Sequence, residues 1–121
     1  MINSDIIRGN IDTLILKLLK EKDMYGYEIV NEIKTRTDNM FNIKEATLYS
    51  VVQRLEKREL ISSYKGEKSH GRTRRYYKVT SFGKAYYKEL IKEWKMLGTI
   101  MSKILGGDIS WIISRNLLVT Y

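Results

Sequence analysis

Three consecutive amphipathic helical stretches, a pair of β-forming runs around a basic loop, and a heptad seam near the chain's end together predict a mainly α (α+β) fold. Helix, helix, helix and hairpin, in that order, is a winged helix-turn-helix, here followed by a long C-terminal dimerisation helix. The expected division is 1–80 for the winged helix-turn-helix, 81–105 for the dimerisation helix, and 106–121 for an apolar tail of open role.

The first helix is read from residues 11–21, where Ile11, Leu14, Ile15, Leu18 and Leu19 make one stripe at i, i+3/i+4 spacing. Asp23-Met24 breaks that period. A second helix, Tyr25 to Arg36, turns Ile29, Val30 and Ile33 inward, and Thr37-Asp38-Asn39 ends it as a turn cluster. Residues 42–58 form the third. Asn42 is the expected N-cap and Glu45 its capping-box partner, with Leu48, Val51 or Val52, and Leu55 buried. The opposite face carries Thr47, Ser50, Gln53, Arg54 and Lys57, without a carboxylate among them. Such a face suits a DNA major groove; periodicity alone equally allows a plain solvated face.

The helical period then stops. Ile61–Lys65 and Arg75–Val79 read as strands, joined by a long tip, Lys65–Arg74, that holds Gly66, Ser69, His70 and Gly71. Thr80 caps a last helix from Ser81 to about Leu105. On it Gly83, Tyr87, Leu90, Trp94, Leu97, Met101 and Ile104 follow a 4-3-4-3-4-3 spacing, a heptad seam. A helix of that length spans about 37 Å, more than the preceding domain needs for its own core, so a second copy of the chain is the expected partner. The competing use is as cover for the first three helices.

Charge points to the same partner class. The 121 residues carry 22 Lys+Arg against 14 Asp+Glu, a formal +8. Residues 1–64 balance; Lys65, Lys68, Arg72, Arg74, Arg75 and Lys78 against Glu67 give +5, and the lysines of 83–104 against Glu89 and Glu93 give +3. Basic excess on a hairpin loop favours a polyanion, and phosphate contacts need no fixed register. With no Cys and one His, disulfide scaffolds, thiolate or multi-His metal sites and thiol nucleophiles are excluded. Neither a Ser/His/acid set nor a phosphate-cradling glycine loop is present, so no catalytic residue, metal or cofactor is expected. The N-terminus lacks a signal-peptide pattern and the apolar stretches are too short to span a bilayer, so a cytoplasmic protein without a membrane partner is expected.

Several short motifs also resemble the PadR-like transcriptional regulators. They are Tyr25-Gly26-Tyr27-Glu28-Ile29, Glu45-Ala46-Thr47-Leu48-Tyr49, Arg54-Leu55-Glu56, and Gly71-Arg72-Thr73-Arg74-Arg75-Tyr76-Tyr77 followed by Thr80 and Gly83. Together they cover roughly residues 8–105; Thr73 departs from the Pro common at its position. The resemblance implies a homodimeric repressor that binds double-stranded DNA, at a palindromic operator, and releases it when a small molecule binds. The single C-terminal helix is similar to the short, multidrug-sensing (LmrR-like) branch. That likeness implies that Trp94, with Leu90 and Leu97, faces its dimer mate as a platform for planar aromatic, often cationic, compounds; seam packing alone is the other use. The dimer interface would comprise Tyr87, Leu90, Trp94, Leu97, Met101 and Ile104.

For DNA, Thr47, Ser50 and Gln53 are expected at base edges, with Lys44, Tyr49 and Arg54 on phosphates to either side. Lys68, Arg72, Arg74 and Arg75 would hold the backbone or an adjacent minor groove. Tyr49 could instead be a half-buried packing residue, and Arg75, within a strand, could pair internally.

Overall fold

The first helix, α1 (Ile11–Glu21), forms where the apolar stripe ends in a lysine-rich turn, and it buries Ile11, Ile15, Leu16, Leu18 and Leu19. The structure is a computed structural model that describes residues 7–69 and 71–109; the side chains of Glu67, Lys68, Ser69 and Arg72 lie outside that description. After α1 come β1 (Met24–Tyr25), α2 (Gly26–Arg36), α3 (Glu45–Lys57), β2 (Ile61–Ser69), β3 (Arg72–Val79) and α4 (Ser81–Leu105), then a short 3-10 turn, Gly106–Ile109. The chain divides into two compact units after Tyr87, so α4 contributes its first turns to the first unit.

Within that unit the three helices close over one face of a three-stranded antiparallel sheet of order β1-β3-β2. The core draws Met24 from β1, Ile29 and Ile33 from α2, Leu48, Val51, Val52 and Leu55 from α3, and Ile61, Tyr77 and Val79 from the hairpin. No described side chain has a buried polar atom left without a hydrogen bond. This is a winged helix-turn-helix.

Local chemistry fixes each helix end. The backbone N–H of Tyr25 donates to Glu28 Oε1 at 3.3 Å, fastening the start of α2. At its end Thr37 Oγ1 donates to the Ile33 carbonyl at 2.8 Å, and Asp38 and Asn39 follow in the left-handed region. Arg36 ties α2 to α1 by a fork onto Glu21, 2.6 and 3.1 Å, while its Nε meets Glu32 at 2.7 Å. Helix α3 closes in a Schellman turn: Leu60 N–H bonds the Leu55 carbonyl, Glu59 N–H bonds that of Glu56, and Glu59 stands at φ 61° where glycine is usual. Thr80 then caps α4, accepting the Gly83 N–H at 3.0 Å, and donates its hydroxyl to the Glu59 carbonyl at 2.7 Å.

Four expectations need correction. The third helix starts at Glu45 with Lys44 as N-cap and no side-chain cap, not at Asn42. Ile43 is buried, which keeps the chain extended as it enters the core, and Asn42 bonds Asn39 Oδ1 instead. The sheet has a third strand: Met24 and Tyr25 pair with Tyr77 and Tyr76, so Tyr25 is strand and cap, not helix. The wing's tip is far shorter than Lys65–Arg74. Pairing continues to Ser69↔Arg72 across a bulge between Lys65 and Lys68, and Gly71 turns the chain at φ 77°. Gly66, read as a loop glycine, is strand: the Tyr76 ring lies where its Cβ would be, at 2.2 Å. Finally, Gly83 is not a seam residue. It is buried, and a Cβ there would stand 2.0 Å from the Leu60 carbonyl oxygen.

Beyond Tyr87, α4 has no buried residue. Leu90 is half-buried, while Trp94, Leu97, Met101 and Ile104 are exposed, at 52% for Trp94 and 81% for Ile104. Of the expected tail, residues 110–121 lie outside the described residues.

Candidate nucleic-acid interface

Helix α3 is built as two halves. Leu48, Val51, Val52 and Leu55 lie on one arc and are sealed in the core. At about 100° per residue, the centre of the opposite arc falls on Ala46, Ser50, Gln53 and Lys57. Thr47 and Arg54 form one flank, and Tyr49 and Glu56 the other. All of these are exposed except Glu56, which is half-buried, and Lys44 is exposed at the N-cap. The two carboxylates of the helix, Glu45 and Glu56, keep to the second flank by the same spacing. The outer arc thus offers hydroxyl, amide and ammonium groups and no acid.

The flanks are held by different partners. On the first, Arg54 makes a fork onto Asp12 of α1: Nη1 to Oδ2 at 2.8 Å and Nη2 to Oδ1 at 2.7 Å. That hydrogen bonding to Asp12 holds the guanidinium still more firmly in its charged form. On the second flank, Ser63 Oγ of β2 donates to Glu56 Oε2 at 2.6 Å, and Arg75 Nη1 donates to Ser63 Oγ at 3.3 Å. Helix α3 and the wing are therefore joined through a carboxylate, a hydroxyl and a guanidinium. Tyr49 is 47% exposed, and its hydroxyl lies 3.3 Å from where a Gly26 Cβ would stand, so it both packs on α2 and reaches the surface.

Strand alternation separates the wing's cations. Tyr77 and Val79 are buried, so Arg75 and Thr73 share the helix-facing side of β3. Arg74, Tyr76 and Lys78 take the other side. There Arg74 lies 4.2 Å above the Tyr25 ring, within a row of tyrosines: Tyr27 on Tyr25 at 6.4 Å, Tyr25 edge-on to Tyr76 at 5.5 Å, and Tyr76 stacked on Tyr64 at 5.7 Å. Tyr64 donates its hydroxyl to Asp23 Oδ2 at 2.6 Å, and that bond pushes the phenol up to about 12. An open cleft of about 530 Å³ beside it is lined by Tyr64, Lys65, Gly66 and Tyr76. For Lys68 and Arg72 only the backbone is described, on facing ends of the wing, and His70 lies outside the described residues.

The structure thus brings Lys44, Thr47, Tyr49, Ser50, Gln53 and Arg54 onto one surface with Arg75 on its wing-side border, and sets Arg74 on the far side of the sheet. Sequence reasoning put Lys57 on this face without giving it a DNA contact, and it missed Ala46 at the arc's centre, which the helical spacing could have located. It also missed Asp12, Glu56 and Ser63. An acid in a helix's first turn reads as a dipole partner, and nothing local ties it to an arginine 42 residues away. In the second unit, Leu90, Trp94, Leu97, Met101 and Ile104 recur on one helical face, with Met96 and Ile100 exposed beside them. Among the described residues no three His, Asp or Glu groups cluster as metal ligands, and no helix is long and apolar enough to cross a membrane.

Known proteins align closely with this chain. Residues 15–89 match the family described as the transcriptional regulator PadR-like family. An uncharacterized protein of Lysinibacillus sphaericus is 56% identical over 107 residues, 88% of this chain and 98% of that protein. Among solved structures, a transcriptional regulator from Clostridium thermocellum is 47% identical with a TM-score of 0.79, over 86% of this chain and 98% of its own. A PadR family transcription regulator from Clostridium difficile is 38% identical with a TM-score of 0.68, over 79% and 98%.

Proposed function

The chain belongs to the PadR-like family of transcriptional regulators, DNA-binding proteins and not enzymes, and from that premise we propose that it is a homodimeric repressor released from a palindromic operator by a small planar aromatic molecule. The observation that carries the DNA-reading half is the acid-free outer arc of α3. Ser50 and Gln53 at its centre present a hydroxyl and an amide, groups that recognise base edges, with Thr47 beside them. Lys57, at the arc's C-terminal end, and Lys44 and Arg75, on its border, are exposed cations suited to phosphates. Lys68 and Arg72 extend the positive charge along the wing toward the neighbouring minor groove. Tyr49 adds a hydroxyl at the sheet-side rim. Arg74, stacked on Tyr25, serves the wing's shape more than the phosphate backbone.

The dimer rests on α4. Tyr87, Leu90, Trp94, Leu97, Met101 and Ile104 repeat at heptad spacing, and Trp94, Leu97, Met101 and Ile104 stay open to solvent in a single chain. Such a stripe is stable in water when a second copy covers it. Trp94 stands near its middle, so two-fold pairing brings two indoles together. With Leu90 and Leu97 as apolar walls, that pair would hold a flat, often cationic, aromatic compound by stacking and cation–π attraction. The protein would then act in the cytoplasm, with DNA, its own second copy and the effector as partners, and without a cofactor.

Binding selection from random duplexes tests this reading. Two related half-sites about one helical turn apart are expected, and a planar cationic dye should quench tryptophan emission in the wild type but not in Trp94→Ala, leaving the Trp111 signal. A selected pool without half-sites would contradict the operator. Equal quenching in both proteins would contradict the effector platform, leaving a dimer that binds DNA without one.

A further inference from the structure

Arg54 lies on the DNA-reading helix, yet its charge is already answered within the chain. Asp12 receives both terminal nitrogens at 2.8 and 2.7 Å, a planar fork onto a carboxylate whose side chain is 15% exposed. Two of the five guanidinium donors are used; three remain, on a side chain still 50% exposed. Lys44 and Lys57 on the same surface, by contrast, have no carboxylate partner among the described residues. The difference matters because phosphate neutralisation and base or groove recognition draw on different properties of a cation. Counterion release scales with uncompensated charge, whereas recognition scales with donors held in a fixed direction.

We propose that Asp12 is a specificity-determining, positioning residue: it converts Arg54 from a phosphate-neutralising cation into a fixed hydrogen-bond donor at the groove's rim. The inference rests on the reading of α3 as the groove helix. Its physical content is an exchange. A paired Arg54 adds little to electrostatic affinity for any DNA, and its remaining donors meet acceptors only when the duplex lies in the right register. An unpaired Arg54 would swing freely on its long stem, contact phosphate on any sequence, and reward misplaced binding.

The substitution Asp12→Asn separates the two roles. Binding to sheared mixed-sequence DNA and to a duplex recovered by selection is measured by anisotropy across a salt series. One freed guanidinium per protomer should steepen the log–log salt slope by about 2 per dimer, since each phosphate neutralised contributes about 0.9. Mixed-sequence binding at low salt should tighten roughly tenfold, with discrimination falling by a similar factor. The double variant Asp12→Asn/Arg54→Gln should return the slope to the wild-type value, and Asp12→Glu, which keeps the acid, should stay near it. Thermal melting accompanies each protein, and Asp12→Ser replaces Asp12→Asn if the latter is not folded. A wild-type slope in folded Asp12→Asn or Asp12→Ser would overturn this inference alone. Wild-type binding with no salt dependence would overturn the groove reading itself, and this inference with it.

Discussion

Helices α3 and α4 are both amphipathic, but they dispose of their apolar faces in opposite ways. α3 buries Leu48, Val51, Val52 and Leu55 completely or nearly so and leaves hydrogen-bonding groups outside. α4 buries only Gly83, and beyond Tyr87 its Trp94, Leu97, Ile100, Met101 and Ile104 stay open. A helix whose apolar stripe is sealed by its own chain is a structural element with a face to spare for another molecule. A helix whose stripe is unsealed has that stripe itself as its functional surface. In the function proposed above, the first pattern serves DNA reading and the second the pairing of copies.

Substitutions in the two helices should sharpen that contrast. Leu55→Ala in α3 removes a side chain with no exposed surface and should cost about 3–4 kcal/mol by chemical denaturation. Gly83→Ala, at the buried glycine of α4, sets a Cβ against the Leu60 carbonyl and the Val79 side chain, and a loss of about 2–3 kcal/mol is expected. Trp94→Ala should weaken self-association by about 2 kcal/mol in sedimentation of the full chain. If Trp94→Ala does not alter association, the seam is not where copies meet. A gain is expected at Glu59→Gly, which relieves a left-handed residue at the end of α3 by about 1 kcal/mol while keeping the carbonyl that accepts Thr80.

The smallest effect lies at the tyrosine row. Tyr64 donates to Asp23, and its phenol is raised to about 12 from an ordinary 10. The sign follows: the neutral phenol is favoured by folding, so its contribution is complete below pH 10 and is lost as pH rises through about 12. Ultraviolet titration should show Tyr64 and the buried Tyr77 ionising late, and Asp23→Asn should bring Tyr64 alone back toward the ordinary phenol value.

Much of this fold was legible in the residues. The stripe at 11–21 and the Thr80–Gly83 cap set α1 and α4 at the expected ends because both are local signals, one of period and one of hydrogen bonding. What failed was non-local. Asn42 looked like a cap, but burial of Ile43 delays the helix to Glu45. Two residues of β1 carry no pattern of their own, and Gly66 reads as a loop until Tyr76 is seen lying across it. The interface shows the same split. Spacing along α3 places Ser50 and Gln53 outward, whereas the Asp12–Arg54 fork and the Glu56–Ser63–Arg75 chain arise only once separate elements meet.

In the proposed dimer the sealed helix reads DNA while the unsealed one supplies the second reader. Stoichiometry and salt dependence on one duplex test both halves at once. On a selected palindromic duplex, sedimentation should find two chains per DNA, and the affinity should fall with a log–log salt slope of about −7, as for a dimer neutralising about eight phosphates. One chain per duplex would rule out the dimer, and a slope near zero would rule out phosphate contact by the wing and α3.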